Sequence, residues 1–168
     1  MTISKQITID APADEVWRVV AHDFHKADQW ASSINRSTSV EAGPPPKSSP
    51  LDAAGRACDT SIGGIKEQIV HYDEAHKRFG YQAKGEKMPF FVKNLVNNWQ
   101  VTEQNSGSAK VDMKLNVELM PVIGTVMGPM MKLQMGKLLG EAVEELKFFI
   151  ENGKPHPRKV KAMQKAIA

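Results

Sequence analysis

The sequence predicts an α+β fold in which one long C-terminal helix lies across an antiparallel sheet of about seven strands. Three observations carry this. Residues 122–152 place apolar side chains at Met127, Met131, Met135, Leu138, Ala142, Leu146 and Phe149. These steps of three and four follow the period of about 3.6 residues that marks one helix face. Residues 55–119 alternate apolar and polar side chains between turn signals, the pattern of antiparallel strands with one apolar and one wet face. No other apolar element is large enough to cover that face, so the helix forms the second layer.

Taken in order, residues 2–10 alternate with Ile3, Ile7 and Ile9 on one face and read as a strand. Ala11-Pro12 breaks it. Pro12 suits a helix start, and Asp14 and Glu15 suit the positive end of a helix dipole. Val16, Trp17, Val19 and Val20 supply the buried side of that short helix, and a second short helical or turn segment covers 25–30. Residues 34–41 read as the next strand. The stretch GPPPKSSPLDAAG then rules out a helix or strand interior and forms a long loop within one domain.

The meander follows, with strands at 56–62 and 65–72 around a Gly63-Gly64 hairpin signal. After a turn at 73–76, residues 78–86 put Phe79, Tyr81 and Ala83 on one face. Met88-Pro89 breaks this strand. Residues 91–103 put Leu95, Asn97, Trp99 and Val101 on one face and turn at 105–108. In 111–119, Val111, Met113, Leu115, Val117 and Leu119 alternate with Asp112, Lys114, Asn116 and Glu118. On the long helix, Met130, Leu139, Val143 and Ile150 widen the apolar stripe. Lys132, Lys137, Glu141, Glu144, Glu145 and Lys147 form the opposite, wet side.

A chain of 168 residues fits one domain, 1–153, followed by a basic tail, 154–168. Cys58 is the single cysteine, so no internal disulfide forms. The first ten residues lack the basic start and apolar run of an ordinary signal peptide. No apolar run approaches the roughly 20 residues that span a bilayer. A soluble, cytoplasmic protein is expected. The net charge of +3 belongs to the tail, which holds five basic residues and no acid. The body carries 17 basic against 19 acidic side chains, near −2. That balance, with sparse aromatics not interleaved among basic residues, argues against nucleic acid as a partner. The tail suits simple solvation or weak electrostatic contact with an anionic membrane surface.

Several stretches resemble one superfamily in their order along the chain. GRACDTSIGGIKEQIVHYDEAHKRFGY carries a Gly-Arg strand, a hairpin, a Glu-bearing strand, a Tyr-Asp turn and a Tyr-bearing strand. ITIDAPADEVWRVV, DFHKADQW, NWQVTE and EELKFFIENGKPHPRK match further segments. Together they resemble the START-like, or SRPBCC, superfamily, in its polyketide cyclase/dehydrase and lipid transport group. The resemblance implies the helix-grip fold, a curved antiparallel sheet around the C-terminal helix with a cavity between, and two short helices after the first strand. Two departures stand out. Trp30-Ala31-Ser32 replaces a frequent Trp-His-Pro, and the GPPPKSSP loop is unlike the usual short connection.

Glu67 is the leading polar candidate. The strand period places it on the apolar face with Ile65 and Ile69, where a carboxylate needs a partner or a raised pKa. In the resembled family the glutamate of this strand faces the cavity. The structural alternative is a pair with Arg56 on the neighbouring strand. Tyr81 and Asn97 are polar groups on apolar faces that suit ligand orientation, and Trp99 suits a wall. Met113, Met127, Met131 and Met135, with Met88, Met120 and Met130 nearby, suggest an adaptable apolar pocket at the front of the helix, where Gly124, Gly128 and Pro129 also fall.

His71, Asp59 and Glu67 form an acid–base site on paper, provided no bulge intervenes before His71. His22, His25 and Asp28 have a spacing that suggests a metal, but the resembled segment is not a metal site. No metal and no cofactor are expected. The leading function is binding or transport of a small hydrophobic or lipid-like ligand between sheet and helix. The alternative is a polyketide cyclase/dehydratase-like enzyme using Glu67 with Tyr81 or His71. A protein-interaction module is a third reading, and it requires an exposed apolar patch.

Overall fold

Alternation and turn chemistry build the sheet one hairpin at a time. The computed structural model describes residues 1–40, 54–105 and 107–167. Its strands are β1 (Thr2–Ile9), β2 (Ile34–Val40), β3 (Gly55–Thr60), β4 (Gly63–Asp73), β5 (Arg78–Gly85), β6 (Val92–Asn105) and β7 (Ser108–Leu119). Each strand from β2 onward pairs antiparallel with the next, and β1 pairs with β7, giving the order β1-β7-β6-β5-β4-β3-β2. Gly63 and Gly107 turn two hairpins at φ 117° and 103°, where a side chain would be strained. The proline-rich stretch from Gly43 to Ala53 lies outside the described residues.

After β1 the chain forms α1 (Ala13–Trp17), a π-helical turn (Arg18–His22) and a 3-10 segment (Phe24–Gln29). Their apolar sides bury Val16, Trp17, Val20 and Phe24. The Trp17 and Phe24 rings pack edge-on against Phe79 of β5, and Phe24 also meets Tyr81. These short helices therefore cover part of the inner face of the sheet.

The long helix α2 (Pro121–Asn152) has proline in its first turn and ends at Gly153, whose φ of 64° and N–H bond to the Phe149 carbonyl (2.9 Å) form a left-handed cap. It packs chiefly against β1, then β7. The inward line is Gly128, Leu139, Val143 and Leu146. Leu138, expected within the stripe, is exposed, while Met127, Met131 and Met135 are half-buried. The periodicity misplaced the axis because the front of α2 is apolar nearly all round, with Val122, Val126, Met130 and Leu133 also exposed.

Glu145, expected on the wet side, is buried at 1% exposure. It accepts the Ser32 backbone N–H (2.8 Å), the Ser32 hydroxyl (2.7 Å) and the Arg158 Nε–H (2.8 Å). Arg158 belongs to α3 (Pro157–Ile167), which forms within the tail expected to be solvated. The next residue, Lys159, is buried and donates from Nζ to the Ile34 carbonyl of β2 (2.6 Å). Burial lowers its pKa from the ordinary lysine value, against Asp28 and Glu145, which raise it. Two charged side chains thus dock the tail helix on the body.

Replacing Glu145 by alanine should cost about 3 kcal/mol, because Arg158 and the Ser32 N–H lose their shared acceptor. Differential scanning calorimetry should show a fall in Tm, and limited proteolysis should open the chain near Gly153. Unchanged melting and cleavage would refute the anchoring role. Hydrogen exchange should separate the two halves of α2. Amides of 122–137 should exchange at least ~100-fold faster than those of 139–150, and uniform protection would contradict the packing described.

Candidate functional site

The pairing register brings the sequence-predicted residues onto neighbouring rows of one sheet face. Arg56 on β3 lies opposite Glu67 on β4, which lies opposite Ala83 on β5. The next row runs Ile69, Tyr81, Asn97, Leu115 and Ile3 across β4, β5, β6, β7 and β1. The row after it runs Tyr72, Phe79, Trp99, Met113 and Lys5. Tyr81, Asn97, Trp99 and Met113 are all buried.

Glu67 is neutralised where it stands. Its carboxylate accepts the Arg56 Nε–H, and both side chains are nearly buried. Arg56 also donates from Nη1 to the Phe24 carbonyl (2.7 Å), and its guanidinium sits 3.9 Å over the Phe24 ring. Burial opposes the Arg56 charge, but Glu67, Tyr81 and Cys58 outweigh it, so the pKa stays above the ordinary arginine value. Glu67 is therefore on the inner face and also in the pair that the structural alternative describes.

Next to this pair, the Asn97 Nδ2 donates to the Tyr81 hydroxyl (2.9 Å), and both groups are buried. Burial first, and the Glu67 carboxylate second, push the Tyr81 pKa well above the ordinary phenol value, so Tyr81 stays protonated. The Trp99 indole N–H interacts with the Tyr81 hydroxyl, whereas Asn97 Oδ1 is buried with no hydrogen-bond partner among the described residues. Such atoms are uncommon in native interiors, because desolvation without a partner is costly.

At the front of α2, Met131 and Met135 pack against the core while remaining partly open, as do Leu95 and Leu119 on the sheet. Met127, Met88, Ile65 and Glu67 are also only partly covered. The inner face of β4–β6 at this end is thus apolar and incompletely sealed at Ile65, Glu67 and Leu95, and the methionines lie around it on α2, on β7 and after β5. Lys5 was overlooked in the sequence. The same period that aligns Ile3 with Ile7 puts it inward, and its ammonium end lies beside Gly140 of α2.

His71 is not part of this site. The register shifts between Ile69 and His71, leaving Val70 exposed and turning His71 outward over Gly80 and beside Asn98. A Cβ on Gly80 would fall 2.2 Å from the His71 ring, so the close approach requires glycine. Burial, then Arg78, lower the His71 pKa. Asp59 is exposed, so the acid–base set with Glu67 does not assemble. His22 pairs with Glu74 and Asp28 accepts the Ser37 N–H (3.2 Å). Among the described residues no three potential metal ligands converge. A concavity of about 500 Å³ lies elsewhere, at Asp14, His76, Lys77, Arg78 and Glu103, and holds none of the expected residues. No helix of the described residues is long and apolar enough to cross a membrane.

Comparison with known proteins agrees with this architecture. A START superfamily protein from Mycobacterium smegmatis superposes with a TM-score of 0.71 at 18% identity, covering 91% of this chain and 99% of that one. A Thalictrum flavum norcoclaurine synthase point mutant, in complex with a transition-state analogue, gives 0.67 at 14% identity over 89% and 93%. The di-domain ARO/CYC BexL from the BE-7585A biosynthetic pathway gives 0.68 at 15% identity over 89% of this chain and 47% of that one. At these identities the likeness is one of fold. No curated protein sequence matches the chain. The family model described as polyketide cyclase / dehydrase and lipid transport matches residues 1–148. That match over most of the chain, together with the sheet order and the gripping helix, places the protein in the START-like polyketide cyclase/dehydrase and lipid transport family.

Proposed function

We propose that the protein binds a small hydrophobic or lipid-like molecule between the inner face of β4–β6 and the front half of α2. In this reading the apolar body of the ligand lies against Leu95, Met113, Met127, Met131 and Met135. Its polar end meets Tyr81, Asn97 and Trp99, beside Glu67. The observation that supports this most is a buried polar atom, Asn97 Oδ1, without a partner among the described residues on an otherwise apolar face. A ligand hydroxyl donating to it would satisfy it. The family description of lipid transport supports the same reading.

The chemistry of the polar end follows from the charges around it. Arg56 and Glu67 cancel, so neither is left to neutralise a ligand anion. Tyr81, Asn97 and Trp99 present only uncharged partners. The inward Lys5 stands at the β1 edge beside Gly140 of α2, two strands away from Trp99, so a carboxylate brought to Tyr81 and Asn97 would be desolvated without an adjacent cation, at a cost far above that of a hydroxyl. An uncharged hydroxyl end is therefore favoured. The alternative enzymatic reading loses His71 to the outer face, and Glu67 is held in its pair with Arg56.

Isothermal titration with decanol and decanoate should show the alcohol binding at least ~10-fold more tightly. Binding of neither, together with no apolar molecule released on denaturing the purified protein, would overturn the site. The double variant Tyr81→Phe/Asn97→Leu should weaken decanol binding by ~10-fold while the chain stays folded, since both members of their hydrogen bond are replaced by apolar groups and only the Trp99 N–H loses an acceptor. Glu67→Gln should instead destabilise by about 3 kcal/mol, because Arg56 would remain buried without its counter-charge. A Tm equal to the parent's would show that the pair is not structurally required.

A further inference from the structure

A helix that is apolar on every side needs cover on every side. The front half of α2 has it on one side only. Its outer face exposes Val122 (82%), Val126 (75%), Met130 (51%) and Leu133 (77%), spaced by four, four and three residues along one line of the helix. The β5–β6 connection ends beside this face. Phe91 accepts the Met120 N–H (2.9 Å) at the entrance to α2, and its neighbour Phe90 is 77% exposed. The result is an exposed apolar surface at one end of the molecule, larger in character than the scattered apolar residues of an ordinary surface.

Charge identifies what fits it. Lys87 and Lys93 flank the two phenylalanines in sequence, and Lys137, four residues after Leu133, continues the helix line. Lys87 and Lys93 form no ion pair among the described residues, and Lys137 has only a long contact to Glu141 (3.9 Å). Glu86, the acid nearest Phe90 in sequence, is engaged by the Gly64 N–H (3.2 Å). Apolar side chains bordered by unpaired lysines match an anionic lipid surface, where the apolar groups enter the headgroup region and each lysine adds attraction. The same lysines disfavour a second copy, because a two-fold pairing of this face would bring like charges together.

We propose that the outer face of the front half of α2, with the Phe90 loop, docks peripherally on an anionic membrane surface. This is a different surface from the basic tail, whose Arg158 and Lys159 are committed to the fold. The inference does not depend on the ligand-binding reading. It places one side of α2 against lipid and the other against the sheet.

The test is co-sedimentation of the full chain with vesicles of phosphatidylcholine mixed with phosphatidylglycerol, compared with phosphatidylcholine alone. Binding should require the anionic lipid and fall steeply as salt is raised. Val126→Glu/Leu133→Glu should weaken it by ~100-fold or more at an unchanged Tm, since both positions are exposed. Phe90→Ser, in a different element, should weaken it by ~10-fold. Binding that is absent, indifferent to lipid charge, or retained by both variants would overturn the proposal. Sedimentation velocity provides the competing outcome: a dimer abolished by the same helix variants would assign the face to a second copy instead.

Discussion

One helix cannot cover seven strands. A sheet of this size is roughly 29 Å across at a spacing of about 4.8 Å, while a helix with its side chains is about 10–12 Å wide. Where α2 lies therefore decides what the remaining inner face must do. It lies at the β1–β7 side, fixed there by Leu139, Val143 and Leu146. The short helices after β1 cover a second part, through Trp17 and Phe24 against Phe79 and Tyr81. What remains is the front of β4–β6, apolar and partly open. The partial exposure of Ile65, Glu67 and Leu95 is a consequence of this shortfall in cover.

Buried charges hold the separate pieces of cover in place. Arg56 ties β3 to β4 through Glu67 and to the 3-10 segment through the Phe24 carbonyl and ring. Glu145 ties α2 to Ser32 and to Arg158 of α3. Lys159 ties α3 back to β2 through the Ile34 carbonyl. Ion pairs of this kind add little net stability over apolar packing, because desolvation offsets their attraction. Their effect is positional. Each charge has its partners only when two or three elements stand in the observed arrangement, so displaced arrangements carry an unpaired buried charge.

The sheet was legible because its signals are local. Alternation in β6 and β7 places Asn97, Trp99 and Met113 on the inner face without reference to any other strand, and the hairpins then fix their neighbours. His71 was misplaced because a single irregularity at Val70 reverses the side of every residue after it, and nothing in the residues 65–72 marks that position. Glu145 was misplaced for a different reason. A charge on a helix reads as wet unless its partner is known, and Arg158 lies beyond the helix in a segment that looked like tail. The methionines marked the front of α2 as apolar but not which of its sides faces the sheet. A helix with Val122, Val126, Met130 and Leu133 on one side and Met127, Met131 and Met135 on another has no single apolar axis to read.

That absence of an axis separates the two halves of α2. In the rear half, one line of side chains is sealed against the sheet, and Glu145 is locked by three hydrogen bonds. In the front half, Gly128 is the one fully buried residue in 121–138, and Pro129 lacks the N–H that would bond to the Thr125 carbonyl. The local stability of a segment follows its buried contacts and its backbone bonds. Both are fewer at the front, where Gly124 and Gly128 lie beside Leu119 of β7 and Gly136 lies beside Ile3 of β1. Separating the front half from the sheet therefore breaks fewer buried contacts than separating the rear half, which would also free Leu139, Val143, Leu146 and the Glu145 carboxylate.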